Sequence, residues 1–205
     1  MDRFYKKFSS FLVHHQIISE NDNELYEYAT KLVIRDIFNV LITVLIGIIM
    51  QKIWETLCFY AVFFMLRKIS GGLHLKSKNL CMLLSIIICI LSVVLADYLG
   101  KTNYFRVVNN ILVIISTIII IVFSPVENEN KPLTNKQMKI YKIEVSILSL
   151  FFGFISLYLL KINSNYSFYI SIALFDVGCL VLIPYIKQMI KRKSNKDVKY
   201  TIKGD

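Results

Sequence analysis

The sequence has 205 residues, of which 56% are hydrophobic, and its mean hydropathy is +0.57. Soluble domains are about 45–50% apolar, and the excess here falls in blocks long enough to cross a bilayer. The formal charge of +10 arises from 24 Lys and Arg residues against 14 Asp and Glu residues. The basic residues lie in short segments between the apolar blocks, so no nucleic-acid partner is expected, because that would require a continuous basic stripe.

The N-terminal segment, residues 1–30, is amphipathic and rich in polar residues. Phe4 and Phe8 lie one helical turn apart, with Lys6 and Lys7 between them, as is typical of a helix on a membrane surface. The segment has no apolar core that ends at a small-residue cleavage site, so we expect no signal peptide. Residues 1–30 are therefore predicted to form an interfacial helix.

Six apolar blocks follow, each a candidate transmembrane helix. The second block is the shortest, with only about 14 residues before Arg67. It either starts nearer Met50, tilts, or thins the bilayer locally. In the last block, Asp176 carries a carboxyl group into the membrane and is expected to have a partner on another helix. The sequence thus predicts one all-α, polytopic membrane domain over residues 1–205, with spans at about 33–50, 53–66, 80–99, 107–124, 144–160 and 166–186.

The basic residues predict the orientation of these spans. Twenty of the 24 Lys and Arg residues lie in residues 1–35, the 67–79 loop, the 125–143 loop and the tail after residue 186. Short cytoplasmic loops carry such an excess. Both termini and the two longer loops are therefore predicted to be cytoplasmic.

The segment between the second and third spans contains a candidate cysteine nucleophile and base. A thiol attacks a carbonyl only as a thiolate, so it needs a base within reach and a local field that favours negative charge. His74 and Cys81 supply these groups. On one unbroken helix they would be about 10.5 Å apart along the axis, too far for direct contact.

The same segment contains signals that break the helix between the two residues. Gly71-Gly72 disfavours helix, and Ser77 and Asn79 are both N-cap types ahead of the third span. Cys81 is then predicted in the first helical turn, where the unpaired N–H groups and the helix dipole favour a thiolate. The alternative is an ordinary loop histidine beside a cysteine at a membrane helix end.

No metal or cofactor is predicted. The four cysteines show neither metal-ligand nor disulfide spacing. His14 and His15 have no Cys or carboxylate at ligand spacing nearby. The candidate chemistry therefore rests on protein side chains alone.

The pattern Arg67…Gly72-x-His74-x6-Cys81 occurs together with three other short motifs. These are Ser124-Pro125, Lys131-Pro132-Leu133 and, late in the last span, Leu182-Ile183-Pro184. In this combination, and in length and topology, the chain resembles the accessory gene regulator protein B (AgrB) family. These proteins are bacterial membrane cysteine endopeptidases that process the precursor of a secreted quorum-sensing peptide.

The resemblance implies a role for each matching residue. Cys81 would be the nucleophile and His74 its general base, Gly71 and Gly72 would shape the loop, and Arg67 would hold a carboxylate of the peptide. For Arg67 the charge rule offers an alternative, because basic residues are expected at a cytoplasmic helix end. The expected substrate is a short precursor with an acidic C-terminal tail. Removal of the tail leaves an acyl-thioester on the enzyme, which a Cys or Ser of the peptide converts to a thiolactone or lactone. The resemblance also implies a homodimer in the bacterial cell membrane.

Two questions stay open at this level. The residue that orients His74 is not identified. The chain also fits a second class of function, a non-catalytic membrane carrier or scaffold for a small peptide, with the Gly-Gly loop as a hinge. The candidates for orienting His74 are Ser70, Asn79, Asp36, Asn39 and Glu55.

Overall fold

The computed structural model describes residues 2–72, 78–102, 104–126, 134–162 and 164–201. Within this part of the chain there are seven α-helices, a short 3-10 helix and no strand, so the predicted all-α class is confirmed. The helices are α1 (Asp2–His14), α2 (Asn23–Ile49), α3 (Ile53–Ser70), α4 (Lys78–Gly100), α5 (Phe105–Phe123), α6 (Asn135–Lys161) and α7 (Tyr166–Thr201).

The N-terminal helix is shorter than predicted. The interfacial helix expected over residues 1–30 ends at His14, and residues 23–30 form the first two turns of α2. The chain reverses between them through Gln16, which has a φ of 56°, and through a 3-10 turn at Glu20–Asp22. The run Ser-Glu-Asn-Asp-Asn at 19–23 causes this break, because short polar side chains compete with helical backbone bonds and favour turns and helix starts.

Five helices in the described part of the chain are long and apolar enough to cross a membrane, and the protein is a multi-pass membrane protein. They correspond to α2, α4, α5, α6 and α7. Helix α3 begins at Ile53 as predicted but has 18 residues that include Glu55, Arg67 and Lys68. Its charged residues lie near its two ends, so its apolar centre is short.

Helix α7 lies at the centre of the bundle. Of its apolar stretch, 56% is buried, against 17–28% for the other four, and it packs against α3, α4, α5 and α6. The Asp176 carboxylate accepts a 2.6 Å hydrogen bond from the Ser92 hydroxyl of α4. The predicted partner of this intramembrane carboxyl group is therefore a neutral hydroxyl on another helix.

Candidate active site

Helix α3 ends at a Gly-Gly pair, as the sequence predicts. Gly71 has a φ of 69° and Gly72 a φ of 104°, a region that L side chains rarely adopt. The positive φ angles turn the chain away from the helix axis directly after Ser70. The chain that leads to His74 therefore starts from a sharp, fixed turn.

This turn is held by the segment that follows α5. The Val126 N–H donates a 3.0 Å hydrogen bond to the Ser70 carbonyl, and Gly71 and Val126 form a parallel bridge. The Arg67 guanidinium donates to the Gly71 carbonyl. Because Arg67 closes the turn from its own helix, it has a structural role beside the substrate-binding role that the resemblance implies.

Gly72 packs against an unusual point on α7. A Cβ at Gly72 would lie 2.5 Å from the Leu180 carbonyl oxygen and 2.5 Å from Arg67 Nη1. Pro184 lies inside α7, and because proline has no N–H it cannot supply the helical hydrogen bond to the carbonyl four residues earlier. The Leu182-Ile183-Pro184 motif thus leaves the Leu180 carbonyl without its helical donor at the position where Gly72 approaches.

Lys142 on α6 caps the end of α5. Its ammonium donates to the carbonyls of Val122 and Ser124, at 3.0 and 2.8 Å, and also to that of Ile121. A lysine in this position satisfies carbonyls that have no intrahelical partner. The contact fixes the chain just before Val126 and therefore supports the turn at Gly71.

The two proposed catalytic residues differ in how far the structure describes them. His74 and the Lys131-Pro132-Leu133 motif lie outside the described residues. Cys81 is the fourth residue of α4, and the structure describes its backbone but not its side chain. The predicted position in the first helical turn is thus observed for the Cys81 backbone. Since α4 begins at Lys78, Asn79 lies inside the helix and is not its N-cap.

One face of α4 runs from Cys81 into the bundle. Ser85, Cys89 and Ser92 follow at successive helical turns, and Cys89 and Ser92 are buried. Ser85 and Cys89 line a cavity of about 20 Å³ between α2, α3 and α4, together with Asn39. The Asn39 Oδ1 atom is buried there without a hydrogen-bond partner among the described residues. A small, mainly apolar cavity that contains a few polar groups therefore begins one turn beyond Cys81.

The candidates for orienting His74 occupy different places. Glu55 lies in the first turn of α3, about 22 Å along the axis from Ser70, too far to reach a residue near Gly72. Ser70 is fully buried, and its hydroxyl oxygen lies 3.4 Å from the Gly71 carbonyl oxygen. Asp36 lies one turn from Asn39 on the partly buried face of α2 and is 3.8 Å from Arg35. Of these three, Asp36 is the carboxylate that lies one helical turn from the cavity between α2, α3 and α4.

A family model described as Accessory gene regulator B matches residues 5–184. The chain belongs to the AgrB family. It is 30% identical over 152 residues to an AgrB-like protein 2 of Clostridium perfringens strain 13, covering 70% of this chain and 71% of the relative. It is also 30% identical over 167 residues to an AgrB-like protein of C. perfringens strain SM101, covering 73% and 76%.

A third relative carries the family name itself. The accessory gene regulator protein B of Staphylococcus saprophyticus is 24% identical over 149 residues, covering 70% of this chain and 77% of the relative. No solved structure gives a significant match. Membership of the AgrB family supports a role for this protein in the processing of an accessory gene regulator quorum-sensing peptide.

The sequence of this AgrB-family protein did not predict the structural roles of three residues that shape the site. These residues are Val126, Leu180 and Lys142. The local signal for Leu180 is Pro184, four residues later in the same helix. Lys142 looks like one more basic residue of the 125–143 loop. Val126 has no signal of its own, because its contact with Ser70 joins positions 56 residues apart.

Proposed function

We propose that this protein is a membrane cysteine endopeptidase that removes the C-terminal tail of a quorum-sensing peptide precursor. The observation that carries the proposal is the position of the Cys81 backbone in the first turn of α4, which begins four residues after His74 in the sequence. The family match supports it, since the chain carries Arg67, Gly72, His74 and Cys81 at the spacing noted above.

The reaction begins when His74 takes the proton of the Cys81 thiol. The N–H groups and dipole at the start of α4 stabilise the thiolate. The thiolate attacks the carbonyl at the tail junction, the C–N bond breaks, and the imidazolium returns its proton to the departing amine. The peptide is then held as an acyl-thioester on Cys81, and the tail is free.

Ring closure follows from the same intermediate. A Cys or Ser side chain of the peptide gives its proton to His74 and attacks the thioester carbonyl. The C–S bond to Cys81 breaks, which forms the thiolactone or lactone and releases the Cys81 thiolate. Conversion of a peptide bond to a thioester is uphill, so the site must hold the acyl group away from water and close to the internal nucleophile. A site at the end of a membrane helix bundle is suited to exclude water.

Basic residues near the proposed site would attract an acidic tail. Lys136 and Lys139 are exposed in the first turns of α6, beside the end of α5 that Lys142 caps. We place this end of the bundle, and both chain termini, on the cytoplasmic side of the bacterial cell membrane by the distribution of basic residues. The proposed partners are the short precursor, the lipid bilayer and a second copy of this chain.

The experiment that tests the proposal is capture of the thioester. The purified protein is mixed with its cognate precursor, sought as a short neighbouring reading frame with a central Cys or Ser and an acidic end. Intact-mass spectrometry should show an adduct of the truncated peptide on Cys81 that neutral hydroxylamine removes. Precursor that binds but is never cut would instead support the carrier function.

Asp36 is proposed as a positioning residue for His74. Helices α2 and α4 both line the cavity that contains Asn39 and Ser85, and both begin at the same end of the bundle. Asp36 lies one turn before Asn39 on α2, and Cys81 lies one turn before Ser85 on α4, so both lie toward that end. A carboxylate there would orient the imidazole and stabilise its protonated form.

We expect Asp36→Asn to lower kcat for tail removal by at least about tenfold while KM changes little, because the interaction strengthens as His74 becomes charged. The measurement is the initial rate of tail release over a range of precursor concentrations. Glu24→Gln, an exposed change on the same helix, should match the unsubstituted protein. A kcat within twofold of that protein would exclude Asp36 from this role.

A further inference from the structure

A second polar site lies at the opposite end of the bundle. A cavity of about 90 Å³, large enough for several water molecules, opens there between α4 and the start of α7. Its distance from Cys81 is about 24 Å along α4, from the 16 residues that separate Cys81 and Asp97. The polar residues that line it are Lys52, Asp97, Lys101, Asn165, Ser167 and Tyr169.

Two hydroxyl groups lie buried in this cavity. Ser167 is 1% exposed and Tyr169 is 2% exposed, and neither hydroxyl donates a hydrogen bond to another described residue. The Lys52 ammonium interacts with the Tyr169 oxygen, which leaves the O–H of Tyr169 able to donate. A buried hydroxyl left unpaired costs free energy. Both residues lie in the first turn of α7, where backbone N–H groups and the helix dipole favour an anion. The two hydroxyls are therefore donors available to a bound group.

Two ammonium groups flank the cavity and share one carboxylate. Lys52 Nζ lies 2.9 Å from Asp97 Oδ1, and Lys101 Nζ lies 2.7 Å from Asp97 Oδ2. The bond to Asp97 raises the pKa of Lys52 above its usual value, so Lys52 stays charged. The net charge of the three groups is +1. The charge of Glu55 also raises the pKa of Lys52, but Glu55 does not line the cavity.

The wider surroundings are also positive. Four cations, Lys52, Lys101, Arg106 and Lys161, lie in the connections at this end of the bundle, against the two carboxylates of Asp97 and Glu55. The cavity lies where the apolar stretches of α4 and α7 end and begin, which is the depth of lipid headgroups.

We propose that this cavity binds a phosphate group, held by Lys52, Lys101 and the hydroxyls of Ser167 and Tyr169. A phosphate presents several acceptor oxygens, which matches donors that converge on one hollow from two lysines and a helix start. The group can come from the headgroup of an anionic phospholipid or from free phosphate. The site is separate from the proposed peptidase centre and does not depend on it.

The test uses the full chain in a neutral detergent and compares Tyr169→Phe with Tyr98→Phe. Both variants lose one phenolic oxygen, but Tyr98 is an exposed residue on α4 near the same end. The probes are phosphatidylglycerol, diacylglycerol with the same acyl chains, and inorganic phosphate. Binding is read by native mass spectrometry and by the shift of the thermal midpoint.

We expect phosphatidylglycerol, but not diacylglycerol, to bind the unsubstituted protein and Tyr98→Phe equally. Tyr169→Phe should weaken this binding by about tenfold or more, because a hydrogen bond to a charged group is lost. Inorganic phosphate that binds with the same dependence on Tyr169 identifies free phosphate as a sufficient ligand. If neither phosphate compound binds, or if Tyr169→Phe binds both as tightly as the unsubstituted protein, the proposal is wrong.

Discussion

Cys81→Ala and His74→Ala are each expected to abolish removal of the precursor tail, with a fall in rate of about 10³-fold or more. The first change removes the atom that forms the thioester, and the second removes the base that generates the thiolate. Both losses should appear as intact precursor in mass spectra after co-expression. Precursor binding should persist in both variants, because neither change alters the rest of the site.

The matched controls for this experiment are the other three cysteines, Cys58, Cys89 and Cys179. All three are free thiols within helices α3, α4 and α7, and Cys89 lies about two helical turns from Cys81 on α4. Each Ala variant should retain tail removal. Cleavage that survives in Cys81→Ala would refute the proposed nucleophile. If the unsubstituted protein and all variants bind the precursor but none of them cuts it, the protein would instead be a carrier.

Gly72→Ala should also cause a large loss, for a reason that is independent of the chemistry. A Cβ at this position would lie 2.5 Å from the Leu180 carbonyl oxygen, and a carbonyl within a central helix cannot move aside cheaply. The φ of 104° adds strain of about 1–3 kcal/mol for any other residue. We expect a lower thermal midpoint and a fall in tail removal of at least about tenfold.

Gly178→Ala is the control for this prediction, because it adds the same methyl group to the helix that contains Leu180. A Cβ there would meet Ile119 Cγ2 at 3.6 Å and nothing closer, which is ordinary van der Waals contact. Its thermal midpoint and cleavage should be unchanged. If Gly72→Ala behaves like Gly178→Ala, the turn does not need a glycine and the contact with α7 does not position the loop.

The sequence predicted the features of this protein that depend on neighbouring residues. Apolar runs marked the membrane helices, Gly71-Gly72 marked the end of α3, and the polar residues ahead of Cys81 marked the start of α4. Each signal acts within one or two helical turns, so no knowledge of packing was needed. The same local reasoning extended the interfacial helix through residues 15–22, where the chain in fact reverses.

The features that the sequence did not predict depend on contacts between distant residues. Helix α7 is central because the other helices bury their faces against it, which depends on packing. Hydropathy alone does not identify it, since α7 has the lowest mean hydropathy of the five apolar helices. The bond from Val126 to Ser70 and the cap of α5 by Lys142 likewise join separate helices. The sequence shows which side chains can form hydrogen bonds, but it does not show which partners they bond to.

The central position of α7 has a consequence for the biosynthesis of the protein. A ribosome inserts the helices in chain order, so α3, α4, α5 and α6 enter the membrane before the helix that they all contact. Until α7 arrives, the part of α5 around the buried Ser116 has no partner on that side, because it packs against Gly178 of α7. A nascent or C-terminally truncated chain therefore lacks the Leu180 carbonyl against which the Gly72 turn forms. A chain without α7 therefore lacks the contact that holds the turn ahead of the proposed active site.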